Sequence, residues 1–522
     1  MRARPERELK FIADGETFKT ALTLSLLGEA SDSPAPQAVE SIYFDTAGLD
    51  LMRRRIALRM RRMNGRYIIG VKERADVDGS HFEREEEEAI SPSPELDLNL
   101  LDKRTAAELR NVVGEKALAP RFGSNIRRTV RTIRFEGAEI EAAFDSGFLF
   151  AGERREPTHE IELELMSGEP AALFELGLTL VDALPLKLGV LSKAERGALL
   201  MSGQPPEVVH AMPPALKSGM PAEQAMGAIF HSCLNHFLAN APALERGDPI
   251  EAVHQMRIAI RRLRSAFGLV YRLFPRPEFD ALRDKSKHMA TILGQARDWD
   301  VFVATVRNDV LPIFAEAPGF DKLLNAAQSR ADAAHQAVTQ FHHAREATRF
   351  ALALELFVAQ RGWRSGANDE NLDRISEPVK NFAKRSLDRL HRKLLKRGKG
   401  FDKLTPEERH AVRIAVKHVR YATDFFAALF HPPSAVELYA EKATALQDLL
   451  GERNDAVIAL RLISALDFGA DAQFAYASGA AAGWSARRGL GDEPALRKAW
   501  RSLRKAAPCW RCDGELRKGD SD

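Results

Sequence analysis

The sequence predicts an α+β N-terminal domain, an antiparallel β-barrel that forms a tunnel and carries covering helices, followed by an all-α domain of two duplicated helical bundles. Before about residue 200, short stretches alternate charged and apolar residues with the period of two that is typical of strands. Beyond it, long stretches rich in Ala, Leu, Arg, Lys and Glu follow a helical period. This second half also repeats two of its own motifs in the same order.

The boundary between the halves lies in a stretch that breaks helix and strand alike. Residues 203–221 contain five prolines and two glycines. We therefore predict a barrel domain over 1–202, a linker over 203–221, a helical domain over 222–480 and a partly disordered tail over 481–522. In the helical domain, HQMRIAIRRLR at 254–264 returns as HAVRIAVKHVR at 410–420, and LGQARD at 293–298 returns as LGERND at 450–455. These repeats place the two bundles at about 222–365 and 376–480.

Composition excludes several classes of protein. Lys and Arg number 76 against 73 Asp and Glu, so the net charge of +3 does not indicate a partner. Three cysteines are too few for a disulfide scaffold, and Cys509 and Cys512 form a lone CxxC that lacks the further ligands zinc needs. No apolar run is long enough to span a membrane and no secretory signal is evident, so we expect a cytoplasmic protein without a membrane partner.

Charged residues share one face on several predicted strands. In the first strand, Glu6, Glu8 and Lys10 alternate with Leu9 and Phe11. An open sheet with one wet face would explain any single strand. However, some strands offer mainly cations and others only carboxylates, and the strand around residues 83–88 is charged on both faces. This segregation favours a closed barrel with a charged lumen and an apolar outer face under helices.

Such a lumen suits phosphoanhydride chemistry. A polyphosphate chain needs paired Arg and Lys, and its hydrolysis needs a hard divalent cation held by carboxylates. The order of motifs then resembles the CYTH superfamily of triphosphate tunnel metalloenzymes. The resemblance is carried by ExExK at 6–10, YFDT at 43–46, LRMR at 58–61, VK at 71–72, FDSG at 144–147, EIELEL at 160–165 and LSKAERG at 191–197.

The resemblance implies roles for individual residues and a divalent metal, Mg²⁺ or Mn²⁺. It assigns the metal to Glu6, Glu8, Glu162 and Glu164, and catalysis to Glu6, Glu8, Lys10 and Glu162. It assigns the triphosphate to Lys10, Arg59, Arg61, Lys72, Arg84, Arg128, Lys193 and Arg196. For Arg196, anchoring of the following helix is the alternative.

The helical half carries a basic stripe in each repeat. His254, Arg257, Arg261 and Arg264 fall within one narrow sector of a helix, next to an apolar stripe that predicts the core face. Stacked cations repel one another unless an anion neutralises them. Aromatic residues do not alternate with these cations, which disfavours nucleic acid. The motifs resemble the CHAD domain, and the resemblance implies polyphosphate binding by His254, Arg257, Arg261, Arg264, His410, Arg413, Lys417 and Arg420.

The favoured function is metal-dependent hydrolysis of inorganic triphosphate or short polyphosphate in the barrel, with the helical domain binding polyphosphate. The first alternative is a non-catalytic polyphosphate-binding protein. The second is a nucleotide or thiamine triphosphate hydrolase, or an adenylate cyclase. The sequence contains neither a phosphate-binding GxxxxGK[ST] loop nor a clear base-recognition motif, which counts against the second alternative.

Overall fold

The computed structural model describes residues 4–28, 35–74, 83–271, 277–314, 317–365, 367–467 and 469–511, and their side chains except those of 4–6, 74, 83–85 and 278. The predicted fold class is confirmed: an antiparallel sheet with covering helices precedes an all-helical region. The strands are β1 (Arg4–Ile12), β2 (Gln37–Asp45), β3 (Ile56–Met63), β4 (Arg66–Arg74), β5 (Glu83–Ser91), β6 (Ala119–Phe135), β7 (Ala138–Ala151), β8 (Arg154–Ser167) and β9 (Lys187–Leu188).

The sheet closes on itself. Its strand order is β5-β4-β3-β2-β6-β7-β8-β1-β9, and β1 also pairs with β5. The first strand therefore pairs with β5, β8 and β9: Glu6 lies opposite Arg84 of β5, Lys10 lies opposite Glu162 of β8, and Phe11 lies opposite Leu188 of β9. Because side chains alternate between the two faces of each strand, closure sends every second residue into the lumen.

The apolar outer face is covered by helices, as predicted. Leu9 and Phe11 of β1 are fully buried. Gly177 lies in the helix Pro170–Ala183, and a Cβ at this position would lie 2.7 Å from Leu9 Cδ1. Glycine therefore allows this helix to approach β1 closely. The helices up to residue 202 are α1 (Gly15–Thr23), α2 (Asp50–Arg53), α3 (Lys103–Val113), α4 (Pro170–Ala183) and α5 (Lys193–Ser202).

The strand that is charged on both faces has a different task for each face. Glu86 and Glu88 of β5 line the lumen. Glu87 points outward, where it accepts hydrogen bonds from the Asp102 backbone N–H at 2.6 Å and the Thr105 hydroxyl at 2.6 Å. These two groups stand at the start of α3, so the outward carboxylate caps a covering helix.

The rest of the chain is helical. Residues 203–217 contain neither helix nor strand. The helices that follow are α6 (Ala222–Ala239), α7 (Ala241–Arg246), α8 (Pro249–Val270), α9 (Pro277–Thr305), α10 (Phe320–His343), α11 (Arg345–Ala359), α12 (Asp369–Ser376), α13 (Val379–Arg397), α14 (Pro406–Phe426), α15 (Pro433–Ser464), α16 (Ala472–Leu490) and α17 (Glu493–Lys505). None of the helices in the described part of the chain combines the length and the apolarity needed to cross a lipid bilayer.

The compact units are not two consecutive stretches of chain. One unit comprises Met1–Val209, Leu238–Ala252 and Thr339–Gly362, and the other comprises His210–Phe237, Val253–Val338 and Trp363–Asp522. Helix α11 therefore belongs to the barrel unit, where Gln360 donates to Glu175 of α4 at 2.7 Å and Arg345 donates to the Asp182 carbonyl at 2.8 Å. Sequence patterns report helix and strand, but not which core a helix joins.

The expectation of a tail from residue 481 is wrong for residues 481–511. Helices α16 and α17 occupy most of this range, and Trp500 and Trp510 are buried. Trp510 donates to Asp388 at 2.7 Å and packs against Tyr439. The segment is mostly polar, and its few buried apolar residues, such as Trp500 and Trp510, are too widely spaced for the sequence pattern to indicate a core. Cys509 is buried with a free thiol, and Cys512 lies outside the described residues.

Candidate functional site

The barrel encloses a charged cavity of about 830 Å³, which we call the lumen. Its wall comes from alternate residues of β1 to β8 together with the start of α5. The charged lining residues include Glu8, Lys10, Arg59, Arg61, Lys72, Glu86, Glu88, Arg128, Glu141, Asp145, Glu162, Glu164 and Lys193. The side chains of Glu6 and Arg84 lie outside those that the structure describes.

One side of the lumen holds an Arg pair. Arg59 contacts Glu86 and donates to Glu88 at 2.9 Å, while Arg61 contacts the same Glu88 oxygen at 3.3 Å. Both guanidinium groups keep a buried Nε without a hydrogen-bond partner. A buried, unpaired donor costs free energy, so the neighbouring carboxylates do not fully satisfy the hydrogen-bonding capacity of the Arg pair.

Lys72 joins the Arg pair to the first strand. Its ammonium group lies 3.5 Å from a Glu8 oxygen and 3.4 Å from a Glu86 oxygen. Glu8 is buried, and it stands opposite Glu164 in the β1–β8 register. Two of the four predicted metal ligands are therefore cross-strand neighbours.

The other side of the lumen holds a tighter network. Arg128 makes a bidentate contact with Asp145 at 2.7 and 2.6 Å and a further one with Glu162 at 2.7 Å. Lys193, at the first position of α5, contacts Asp145 at 2.9 Å and Glu162 at 2.7 Å, and reaches Glu160 as well. Lys10 lies 3.9 Å from Glu162. Local sequence explains the position of Lys193, because the Ser192–Glu195 capping box starts the helix there.

The ionisation of this network follows from its pairing. Burial opposes the charge on Glu162, but Lys193 and Arg128 hold the pKa of its carboxyl well below the usual value. Burial likewise opposes the charge on Lys193, but Asp145, Glu160 and Glu162 raise the pKa of its ammonium group well above the usual value. In contrast, burial and the neighbouring Arg59 lower the pKa of Arg61 to about 10. Glu86 and Glu88 instead raise the pKa of Arg59 against the effect of burial, so Arg61 is the less compensated member of the Arg pair.

Hard oxygen donors for a divalent cation are present. One carboxylate oxygen from each of Asp145, Glu160 and Glu162 lies within 4.8 Å of the others. Only Glu162 of this group belongs to the predicted set. Asp145 and Glu160 stand in two of the motifs that carry the resemblance, but neither was given a role. The β6–β7 hairpin decides the role of Asp145, since its register sets Arg128 directly opposite.

Arg196 does not line the lumen. Its guanidinium donates to Glu156 at 2.8 Å and to the Thr158 hydroxyl at 2.9 Å, and it contacts Glu160. These acceptors belong to β8, so Arg196 fastens α5 to the barrel wall. The structure supports the anchoring alternative for this residue.

The second compact unit brings the two basic repeats together. Helices α8 and α14 pack side by side: Arg262 lies over the Phe425 ring at 5.4 Å, and Arg261 lies over the Tyr421 ring at 5.9 Å. We call Arg257, Arg261, Arg413 and Lys417 the two-helix basic surface, because these cations lie within electrostatic reach of one another. The duplication therefore builds one surface from two helices.

The two-helix basic surface carries few compensating charges. Burial, together with repulsion from Arg261 and Arg413, lowers the pKa of Lys417 to about 6. Burial also lowers the pKa of Arg257, and repulsion from Arg261 adds to this shift. Asp298, which lies 3.6 Å from Arg257, opposes the shift but does not cancel it. Gly294 makes room for that arginine, since a Cβ there would lie 2.4 Å from Arg257 Nη1.

The other predicted polyphosphate ligands lie on the same two helices with different surroundings. Arg420 packs on Tyr421 at 4.4 Å and donates to Gln447 at 3.1 Å. Arg264 and His410 are exposed, and His254 is half-buried. Sequence reasoning gave no role to His418, which burial and the nearby Lys393 and Arg397 hold neutral by lowering its pKa to about 4.

Comparison with known proteins finds the same two domain families that the sequence motifs resemble. Residues 4–198 match the CYTH domain family and residues 228–464 match the CHAD domain family. Over 169 residues the chain is 32% identical to the inorganic triphosphatase of Haemophilus influenzae, covering 31% of this chain and 46% of that protein. The chain thus spans about half the length of this relative.

Two further relatives are similar over longer stretches of the chain. A protein of Mycobacterium tuberculosis described as uncharacterized is 24% identical over 492 residues, which cover 87% of this chain and 88% of that one. Among solved structures, the CHAD domain of the plant Ricinus communis is 30% identical, with a TM-score of 0.49, and covers 57% of this chain and 98% of its own.

Proposed function

We propose that this chain, which carries a CYTH domain followed by a CHAD domain, hydrolyses inorganic triphosphate or a similar short polyphosphate in the lumen with a divalent metal. The observation that carries the proposal is the lumen wall. It combines cations for a phosphate chain with clustered carboxylates for a metal, and two buried Arg Nε atoms there have no partner. A site for a metal alone would not need the cations, and a site for an anion alone would not need the carboxylates.

In the mechanism, the two sides of the lumen hold the phosphate chain. Arg59, Arg61 and Lys72 grip it from one side, and Lys10, Arg128 and Lys193 grip it from the other. Glu8, Glu162 and Glu164, with Asp145 and Glu160, would hold Mg²⁺ or Mn²⁺, which would supply positive charge to offset that of the phosphate oxygens. A water positioned by a carboxylate attacks the terminal phosphorus in line, and the bond to the bridging oxygen breaks. The products are phosphate and pyrophosphate.

The test is a substrate panel on the full-length protein. Inorganic triphosphate, ATP, thiamine triphosphate and long-chain polyphosphate are each incubated with and without Mg²⁺ or Mn²⁺, and phosphate release is measured. We expect release from triphosphate that requires the metal. Cyclic AMP formed from ATP, or faster hydrolysis of thiamine triphosphate, would favour the alternatives instead.

Glu8→Gln is the decisive variant, because it removes a buried carboxylate charge from the lumen with little change in shape. We expect turnover to fall by about 100-fold or more, the scale seen when one group that stabilises transition-state charge is removed. Glu40→Gln is the matched control, since Glu40 is exposed and lies 3.6 Å from Arg62, outside the charged lumen lining. Undiminished turnover in Glu8→Gln would contradict the catalytic proposal.

We further propose that the two-helix basic surface binds polyphosphate-like polyanions. Its support is the convergence of four basic residues from two repeats, one of them a lysine whose pKa is lowered by burial and by repulsion from the neighbouring arginines. A non-catalytic binder would share this property, so binding and turnover must be measured separately. Polyphosphate binding that survives Glu8→Gln, together with lost turnover, is the result that we expect.

A further inference from the structure

Glu88 is a lumen carboxylate that the proposed reaction leaves without a task. Its side chain is 37% exposed, compared with 17% for Glu86 and 8% for Glu8. Among these three acids it is therefore the one closest to solvent. It could swing into water at little cost, because its charge is already partly hydrated.

Glu88 nevertheless points at the groups that would bind phosphate. One of its oxygens lies 2.9 Å from Arg59 Nη2 and 3.3 Å from Arg61 Nη1. The two arginine side chains are only 11% and 15% exposed, so they depend on the protein for a counter-charge. The free protein thus uses an internal carboxylate where a phosphate oxygen would otherwise fit.

The backbone is arranged so that this contact can form. Arg59, Gly70 and Glu88 are consecutive partners across β3, β4 and β5. A Cβ at Gly70 would lie 3.1 Å from Arg59 Nε and 3.5 Å from a Glu88 oxygen. The missing side chain lets the guanidinium lie flat over the middle strand and reach the acid.

We propose that Glu88 is an internal competitor for Arg59 and Arg61, which an incoming phosphate chain displaces, and that this exchange sets the affinity of the lumen for triphosphate. The inference rests on the proposed function for its ligand. Glu86 is less suited to this role, because it is more buried and also holds Lys72 at 3.4 Å. Displacement of Glu88 costs one pair of ionic contacts and releases one carboxylate to water, without moving the barrel wall.

The experiment measures triphosphate affinity with and without this carboxylate. Full-length wild type and Glu88→Gln are titrated with inorganic triphosphate by calorimetry in metal-free buffer with chelator, where binding is read without turnover. We expect the Kd of Glu88→Gln to fall by about tenfold, which corresponds to about 1.4 kcal/mol. Glu88→Asp keeps the charge but shortens the side chain by one methylene, and we expect a smaller gain in affinity.

Glu40→Gln is again the control, because it removes the same charge from a position outside the charged lumen lining. An equal gain in that variant would mean that net charge alone is responsible, and would overturn the proposal. So would an unchanged or weaker Kd in a Glu88→Gln protein with normal circular dichroism, since Glu88 would then orient the arginines for substrate. With metal present, we expect KM to fall while kcat stays within about twofold, as for a change in uniform binding.

The calorimetric result separates this inference from the proposed function. If no variant releases phosphate, hydrolysis is excluded, but tighter binding by Glu88→Gln would still support competition. If wild type hydrolyses triphosphate but neither the Kd nor the KM falls in Glu88→Gln, the proposed competition by Glu88 is wrong. The proposed triphosphatase activity is then unaffected.

Discussion

Lys193 and Lys417 show how differently the two compact units handle positive charge. In the lumen, Lys193 contacts three carboxylates and its pKa is raised. On the two-helix basic surface, burial and neighbouring arginines lower the pKa of Lys417 to about 6. A lumen with both signs can hold a metal together with an anion, whereas the cations of the two-helix basic surface repel one another and would be stabilised by a bound anion. The comparison teaches that the first site is already neutralised and the second is not.

The largest expected effect comes from removing each lysine in turn. Lys193→Met should destabilise the protein by about 3–5 kcal/mol, because it leaves buried carboxylates without their partner. Lys417→Met should have the opposite sign and stabilise by about 1 kcal/mol, because folding no longer has to remove the proton of a buried lysine. Denaturant unfolding of both variants measures this. Two changes of the same sign would break the comparison.

Salt should weaken binding at the two sites unequally. Raising the salt from 0.05 to 0.5 M should weaken polyphosphate binding to the two-helix basic surface by about tenfold or more, because its contacts with the ligand are ionic and partly exposed. Triphosphate in the lumen should lose less, since buried charges are screened less. Titrations of the Glu8→Gln variant with each ligand at both salt concentrations give the two slopes. Equal slopes would show that the lumen is as open to solvent as the helical surface.

Polyphosphate binding to the helical surface should also be coupled to protons. Near pH 7.5 most Lys417 is neutral in the free protein, and a bound polyanion should return its pKa toward the usual value. Affinity should therefore rise by about threefold to fivefold as the pH falls from 8 to 6, with net proton uptake. Calorimetry in two buffers of different ionisation enthalpy counts the protons. Lys417→Met serves as the control, and uptake that persists in this variant would assign the proton to another group.

The sign of the effect on stability follows from the same lysine. Its folded-state pKa is lowered, so between about pH 6 and the usual lysine value the unfolded chain binds more protons than the folded one. Lys417 therefore costs stability across this window, and the cost shrinks as the pH rises. In Lys417→Met, the free energy of unfolding should therefore increase less steeply with pH than in the wild type.

The smallest effect concerns the paired glycines of the duplicated LG motif. Gly294→Ala places a Cβ against Arg257 and should weaken polyphosphate binding by about twofold, the scale of a shifted exposed charge. At Gly451 a Cβ would meet nothing within 4 Å, so Gly451→Ala should leave binding unchanged and stabilise by about 0.5–1 kcal/mol through helix propensity. Binding titrations and thermal melts of both variants check this. Identical behaviour would mean that the copies are equivalent.

Much of the lumen could be predicted from sequence because strands alternate. Glu8 and Lys10 are two positions apart on one strand, and Arg59 and Arg61 are two positions apart on another. The members of each pair therefore share a face of their strand in any fold that keeps the strand. The pairing partners could not be predicted in this way. Glu88 meets Arg59 only because β4 places Gly70 between them, and Asp145 meets Arg128 through a long hairpin register. Arg196 shares a motif with Lys193 and lies one helical turn further along α5, yet it donates to Glu156 of the barrel wall, a partner that only the packing of α5 against β8 provides.

The sequence alone determined the two fold classes, the internal repeat and the charge that each strand or helix would present, because local periodicity carries that information. Tertiary structure decided which charges became partners, that α11 joins the barrel unit, and that residues 481–511 fold. It also decided the state of each lysine. The pKa of Lys193 or Lys417 depends on burial and largely on charges that are tens of residues to about 160 residues away, which only the closed barrel and the packed helices bring within reach.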